Sequence, residues 1–175
     1  MMPLFHGPMS RQAIARPTRP DRAALQSTPT LQGEAVELGW TGRQFLLLGP
    51  FADVQDDLCA WIMDVGAQAS MTGAVMPSVH WIARRAERFS AALLDADDIE
   101  PVARLVETGL ALRRVAPRLP VVILSSKVSR HDFGKERLPI CDATLRRPLS
   151  RSAFFLGVCA AEMNRAEAQR TEPTA

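Results

Sequence analysis

The chain has 175 residues, a length that suits one domain with a full hydrophobic core plus a tail. Residues 1–44 hold five arginines against three acids, and removing these from the totals of 21 bases and 19 acids leaves 16 of each. The balanced remainder argues against a general nucleic-acid surface, and no segment reaches the ~20 apolar residues of a membrane span.

The three cysteines, Cys59, Cys141 and Cys159, are odd in number and widely spaced. They form neither a paired metal-binding motif nor a disulfide framework, so we interpret them as small, reduced packing residues. The first twenty residues are interrupted by prolines and arginines and do not form a secretion signal. We therefore expect a cytoplasmic protein without a metal or another cofactor.

Residues 1–40 are rich in Pro, Arg, Thr and Gln and show no sustained hydrophobic period. This composition predicts a flexible tail over 1–40, followed by a domain over 41–172. A solvated leader is favoured over an arm that binds acidic partners, and residues 34–40 are a candidate for a short ordered lead-in to the domain.

Within the domain, apolar runs alternate with segments of helical period. The first strand covers 45–48 and ends at Gly49-Pro50, and a helix is predicted over 52–65. A weak strand over 67–72 ends at Gly73, and a second helix is predicted over 78–88. The strand over 89–95 ends in a single carboxylate, Asp95.

The second half continues the alternation. A helix that begins near Pro101 runs to about Val115, because proline suits a first helical turn, and the next strand covers 121–124. Residues 127–139 have room for a short helix at most. A short strand over 143–145 precedes a final helix, capped by Ser150 and running to about Arg170. The pattern predicts a parallel sheet with helices on both faces.

The order and spacing of three segments are typical of a known family. The segments are 93–95 (LLD), 119–126 (LPVVILSS) and 142–150 (DATLRRPLS). They resemble the receiver domain of bacterial response regulators, a flavodoxin-like fold with a five-stranded parallel sheet, over about residues 45–170. The resemblance implies roles for five residues: Asp95 at the phospho-acceptor position, Ser125 at that of a Ser or Thr, Thr144 at that of the switch aromatic, and Arg147-Pro148 at that of a Lys-Pro dipeptide.

The departures from the family bear on the function. The acidic pair that holds Mg²⁺ in active receivers aligns with Gly49 and Pro50, and neither side chain offers the oxygen ligand that a hard cation needs. Arg147 keeps the charge of the family's lysine, but as a planar fork. Without a metal between them, we expect Asp95 and Arg147 to form a direct or water-bridged ion pair.

The loop after Asp95 offers two other carboxylates, Asp97 and Asp98, as a replacement metal site. We favour a different interpretation, in which Asp97, Asp98 and Glu100 form a solvated acidic turn that is favourable at a helix N-terminus.

The sequence thus favours a degenerate receiver, a binding module that acts without phosphorylation and is not an enzyme. The alternative is a phospho-accepting response regulator with Asp95 as acceptor and a rearranged metal site. A small enzyme with Ser125 or Ser126 as nucleophile lacks the Gly-x-Ser-x-Gly elbow. A DNA-binding regulator lacks room for an output domain.

The final helix carries two apolar stripes when residues are placed at 100° intervals. Phe154 and Val158 lie on the stripe expected to pack on the sheet. Leu156, Cys159 and Met163 lie on a second stripe turned away from it, which indicates a contact surface. We expect its partner to be a second copy or another regulatory protein, with no membrane and no nucleic acid involved.

Overall fold

A computed structural model of the chain describes residues 39–72 and 79–171. The elements in chain order are β1 (Gln44–Leu48), α1 (Gln55–Asp64), β2 (Gln68–Thr72), α2 (Val79–Ala83), β3 (Phe89–Asp95), α3 (Val102–Val115), β4 (Val121–Ser125), β5 (Ala143–Arg146) and α4 (Arg151–Thr171). A single 3₁₀ turn, Ala86–Arg88, links α2 to β3. None of the described helices is long and apolar enough to cross a membrane.

The five strands form one parallel sheet in the order β2-β1-β3-β4-β5. The order places β3 at the centre, and its residues Ala91 to Asp95 are buried. A strand covered on both faces needs a continuous apolar run, which is the pattern read from the sequence. The predicted flavodoxin-like fold is confirmed.

The sheet separates two hydrophobic cores. On one face, Leu47 and Leu93 point toward α1 and α4, whose contacts include Leu58 and Phe154. On the other face, Leu94 and its neighbours pack with α2, α3 and the segment before β5. The period-2 alternation of strand side chains divides the apolar residues between the two layers.

Trp40, which the sequence analysis assigned to the end of the tail, is fully buried in the first core. Its ring centroid lies 5.6 Å from that of Phe45 and 5.4 Å from that of Phe155. The ordered domain therefore includes Trp40. Residues 1–38, the bulk of the predicted tail, lie outside the described residues.

Two predicted helices differ from the structure. The helix predicted over 52–65 begins at Gln55 because Phe51 has a positive φ of 47° and residues 52–54 form a turn. The helix predicted over 78–88 is divided into α2 and the 3₁₀ turn. Gly73 and Ser78, the predicted ends of a strand and a helix, lie outside the described residues.

Residues 126–142, between β4 and β5, contain no helix or strand element. The segment makes one antiparallel bridge, between Asp132 and Thr144. It is fixed instead by α4: the Asn164 side-chain amide donates hydrogen bonds to the carbonyls of Phe133 (3.0 Å) and Asp142 (2.8 Å).

A buried ion triad completes this anchorage. The fully buried Asp142 carboxylate accepts hydrogen bonds from Arg165 Nη2 (2.7 Å), Arg113 Nη2 (2.8 Å) and the Val121 N–H (2.7 Å). Arg165 Nη2 also donates to the Leu138 carbonyl at 3.0 Å. The triad ties α3, β4 and α4 together at the amino edge of the sheet, and the sequence analysis did not anticipate it.

All three cysteines are free, in agreement with the prediction of reduced packing residues. Burial raises the pKa of each thiol above its ordinary value, so these cysteines are poor nucleophiles.

Candidate functional site

The carboxyl edge of the sheet collects the residues that the sequence analysis singled out. Asp95, the last residue of β3, lies opposite Leu124 in the strand register, and Ser125 of β4 lies opposite Arg146 of β5. Arg147 follows directly. Parallel strands place such residues at a shared edge, which is where functional groups of open sheets lie.

The Asp95 carboxylate is enclosed, with 1% of the residue exposed. Oδ2 accepts a hydrogen bond from the Phe51 N–H at 2.8 Å, and Oδ1 accepts a longer one from the Asp97 N–H at 3.2 Å. Arg147 Nη2 lies 2.8 Å from Oδ1. The predicted ion pair between Asp95 and Arg147 is confirmed as a direct contact, although Nη2 is not aligned as a hydrogen-bond donor.

Arg147 contacts three carboxylates. Its Nη1 lies 2.9 Å from Asp53 Oδ1 and 3.4 Å from Asp97 Oδ2, in addition to the Asp95 contact. The Arg147 side chain is 7% exposed. We call Asp53, Asp95, Asp97 and Arg147 the aspartate cluster. Its net charge is negative, and the guanidinium is its only cation among the described residues within ion-pair distance of Asp95.

Asp97 belongs to the cluster rather than to a solvated turn, so that prediction is wrong for this residue. The Ser125 hydroxyl donates to Asp97 Oδ1 at 2.8 Å, and the Ser126 N–H lies 2.9 Å from both oxygens. Burial opposes ionisation, but the hydrogen bonds from Ser125 and Ser126 and the Arg147 charge outweigh it and hold the pKa of Asp97 below its ordinary value.

A sequence signal for Asp97 did exist. Side chains two residues apart along extended chain point the same way, so Asp97 continues the direction of Asp95 past the end of β3. Lys127 was also missed: it forms an ion pair with Glu100, and its Nζ lies 3.4 Å from the Asp97 carbonyl.

Position 49, the first of the two that align with the family's acidic pair, leaves no room for a carboxylate. Gly49 has a φ of 121°, and a Cβ on it would lie 2.6 Å from the Cβ of Asp95. Pro50 carries no ligand, and Phe51, which follows, is fully buried with its N–H directed at Asp95. The 49–51 turn therefore lies directly against Asp95.

The side chains of this edge do not fit Mg²⁺. A six-coordinate hard cation needs several oxygen ligands on one side of the acceptor carboxylate, and here the guanidinium lies between the carboxylates of Asp53, Asp95 and Asp97. Within residues 39–72 and 79–171, no group of three or more His, Cys, Asp or Glu side chains is arranged to hold a metal ion.

Two other residues implied by the resemblance lie outside the aspartate cluster. Thr144 is buried, and its hydroxyl contacts Arg137 Nη1 at 3.3 Å and Cys141 Sγ at 3.7 Å. Pro148 is exposed and follows a cis peptide bond to Arg147. The structure therefore joins Asp95, Ser125 and Arg147 through Asp97, and does not join Thr144 or Pro148 to them.

The two stripes of α4 separate as predicted. Phe154, Val158 and Ala161 are fully buried. On the outer stripe, defined as Leu156, Cys159 and Met163, the exposed fractions of the two largest residues are 62% for Leu156 and 72% for Met163. Cys159 is half-buried.

No family model matches the chain, and the search of curated proteins found no relative. Solved structures do match. A response regulator receiver domain protein of Clostridium thermocellum superposes with a TM-score of 0.51 at 12% identity, over 73% of this chain and 98% of that one. The chemotaxis protein CheY4 of Vibrio cholerae gives 0.51 at 14% identity, over 69% and 99%.

A putative pilus assembly-related protein of Burkholderia pseudomallei gives a TM-score of 0.50 at 18% identity, over 70% of this chain and 90% of that one. At these identities the similarity shows the fold alone. The chain has the receiver fold. The function of its site must be inferred from its own residues and not from the similar structures.

Proposed function

We propose that this chain is a receiver-fold signalling module in which Arg147 locks the acceptor aspartate and which works through protein contacts rather than phosphorylation. It is not an enzyme in this proposal, and its setting is the cytoplasm, where three free thiols stay reduced.

The observation that carries the proposal is the position of the Arg147 guanidinium among three carboxylates. Phosphoryl transfer depends on neutralising the charge around phosphorus. Among the described residues, the one cation in ion-pair contact with Asp53, Asp95 and Asp97 is the Arg147 guanidinium, and the three carboxylates share it. A phosphoryl group on Asp95 would add negative charge beside the carboxylates of Asp53 and Asp97. The Arg147 guanidinium, which is already shared, would have to balance this added charge.

Access to Asp95 argues in the same direction. A carboxylate oxygen that attacks phosphorus needs a free lone pair and an approach from solvent. Oδ2 is directed at the Phe51 N–H, Oδ1 faces Arg147 and the Asp97 N–H, and the residue is 1% exposed. Phosphorylation would require the 49–51 turn to withdraw.

The experiment is incubation with acetyl phosphate and Mg²⁺, followed by intact-mass measurement. We expect no adduct on the native chain and none on Asp95→Asn. An active receiver treated in parallel establishes that the donor and the metal are competent. A stoichiometric adduct on the native chain that Asp95→Asn abolishes would overturn the proposal.

The alternative, a phospho-accepting regulator with a rearranged metal site, is favoured by one observation. Asp53 is 60% exposed and shares Arg147 with Asp95, so displacement of the guanidinium would leave adjacent carboxylates facing solvent. A Mg²⁺ titration with beryllofluoride, followed by amide NMR, separates the two functions. Shifts confined to the aspartate cluster support the alternative, and an unchanged spectrum supports the locked module.

The outer stripe of α4 is the proposed partner surface, for a second copy or another regulatory protein. Leu156 and Met163 expose apolar side chains without strain in the helix, which suits an adaptable contact. We expect light scattering to detect self-association of the native chain, and we expect Leu156→Glu with Met163→Glu to abolish it while circular dichroism stays unchanged. The matched control is Arg170→Glu, near the end of the same helix, because Arg170 is exposed and forms no ion pair among the described residues. Unchanged association in the double variant would place the interface elsewhere.

A further inference from the structure

A groove of about 470 Å³ opens at the amino edge of the sheet, opposite the aspartate cluster. Phe89 begins β3, and Leu119 lies just before β4, so the groove marks the edge where these strands start. Its lining residues include Ala83, Glu87, Phe89, Val115, Arg118 and Leu119. Phe89 and Leu119 are buried and form an apolar floor.

Four arginines lie in or directly beside the segments that line this amino-end groove. Arg118 lines it, and Arg84, Arg88 and Arg114 are sequence neighbours of the lining residues Ala83, Phe89 and Val115. All four arginines are exposed. None of them forms an ion pair with an acidic residue in the described ranges 39–72 and 79–171.

The remaining basic residue beside the groove, Arg85, already contacts an aromatic ring. The Arg85 guanidinium lies 4.9 Å from the centre of the Trp81 ring, in a cation–π arrangement. Glu87 is the one acid among the lining residues. The groove thus combines an apolar floor with one lining arginine, Arg118, and with three exposed arginines that each adjoin a lining residue in the chain.

We propose that the amino-end groove is a docking site for an acidic segment of a partner protein that inserts one apolar side chain onto the Phe89–Leu119 floor. Charge complementarity selects the segment, because four exposed arginines attract carboxylates and speed encounter. A volume of about 470 Å³ accommodates a leucine- or phenylalanine-sized anchor with its flanking backbone.

A peptide fits this surface better than a nucleic acid does. Glu87 lies in the groove and repels phosphates and carboxylates alike. An acidic peptide can place its apolar anchor beside Glu87, whereas every nucleotide of a nucleic acid carries a phosphate. Sequence-tolerant nucleic-acid sites present aromatic faces for base stacking, but here Arg85 covers one face of the Trp81 ring.

The test uses the full chain and a fluorescein-labelled decapeptide in which one leucine is flanked by glutamates, followed by fluorescence anisotropy. We expect saturable binding that weakens as salt is raised. Arg88→Glu with Arg118→Glu should weaken it at least about tenfold. Ala83→Trp, which fills the groove without changing charge, should weaken it to a similar degree.

The matched control is Arg104→Glu with Arg130→Glu, since both residues are exposed and lie away from the groove lining. This control should bind the peptide within about twofold of the native chain. Circular dichroism verifies that each variant is folded.

Three results would overturn the inference. The first is no binding at about 1 mM peptide, an affinity too weak for recognition. The second is an equal loss in the control pair, which would indicate general charge attraction. The third is tighter binding of a single-stranded oligouridylate that the groove variants abolish. None depends on whether Asp95 accepts phosphate, so failure here leaves the proposed function standing.

Discussion

Replacing Arg147 with methionine tests the central contact of the aspartate cluster. Methionine keeps an unbranched apolar side chain, which is shorter than that of arginine, and removes the charge. Asp95 would keep its hydrogen bonds from the Phe51 N–H (2.8 Å) and the Asp97 N–H (3.2 Å), yet it would be a carboxylate that is 1% exposed and has no counterion.

The magnitude follows from how each carboxylate is placed. Asp53 is 60% exposed and would turn to water, at a cost below about 1 kcal/mol. Breaking a buried pair by removing one partner costs about 3–5 kcal/mol. The two surviving backbone hydrogen bonds put Asp95 at the lower end, so we expect Arg147→Met to lower the free energy of unfolding by about 3 kcal/mol, or the melting temperature by roughly 10 °C.

Urea denaturation of the native chain, Arg147→Met, Asp95→Asn and the double variant measures the coupling free energy between Asp95 and Arg147. In the Asp95→Asn background no buried carboxylate remains at position 95. Arg147→Met then takes the cation only from Asp53, which is 60% exposed, and from Asp97, which keeps its hydrogen bonds from Ser125 and Ser126. It should therefore cost only about 1 kcal/mol there, which leaves a coupling of about 2 kcal/mol. The neighbouring Arg146→Met is the control, because Arg146 is exposed and its side chain reaches only the Ser129 carbonyl. An equal cost of Arg147→Met in both backgrounds would refute the reasoning.

Three further outcomes are expected. Gly49→Ala should destabilise the domain by more than about 2 kcal/mol in thermal melts, whereas Gly39→Ala, with a φ of 63° and nothing near its Cβ, should cost about 1 kcal/mol. Ser125→Ala should raise the pKa of Asp97 toward its ordinary value of 3.8 in a carboxyl-carbon NMR titration. Because the native pKa is depressed, Asp97 contributes to the free energy of unfolding above pH 3.8, and this contribution is lost as the pH falls through the native pKa. Asp142→Asn should cost about 3–5 kcal/mol in urea at neutral pH, since two arginines lose their anion, and a loss under about 1 kcal/mol would contradict the triad.

The sheet was predictable because each strand carries its signal locally. Five of the seven residues over 89–95 are apolar. The other two are Ser90 and Asp95, and Asp95 falls at the end of the strand. The alternation of strands and helices then fixes the edge at which Asp95, Ser125 and Arg147 meet. That much of the candidate site follows from the sequence.

The rest depends on contacts between distant parts of the chain. Arg147 and Asp53 are 94 residues apart, and Arg165 and Asp142 are 23 apart. No local period links such pairs. A charged residue is predicted to lie at the surface unless its partner is known. The start of α1 was misplaced for a related reason: the Phe51 N–H is held by Asp95, 44 residues later, rather than by a helix.

The close approach of Gly49 to Asp95 also bears on how such a chain can change over generations. A magnesium-binding receiver site would need a carboxylate at 49, a turn withdrawn from Asp95 and a guanidinium removed from the cluster. The first and the last of these steps are destabilising on their own, because a Cβ at 49 meets the Asp95 Cβ at 2.6 Å and the loss of Arg147 leaves a buried charge. Marginally stable proteins tolerate few such losses. The present arrangement is therefore separated from a metal-dependent one by unstable intermediates, and it should persist once it has formed.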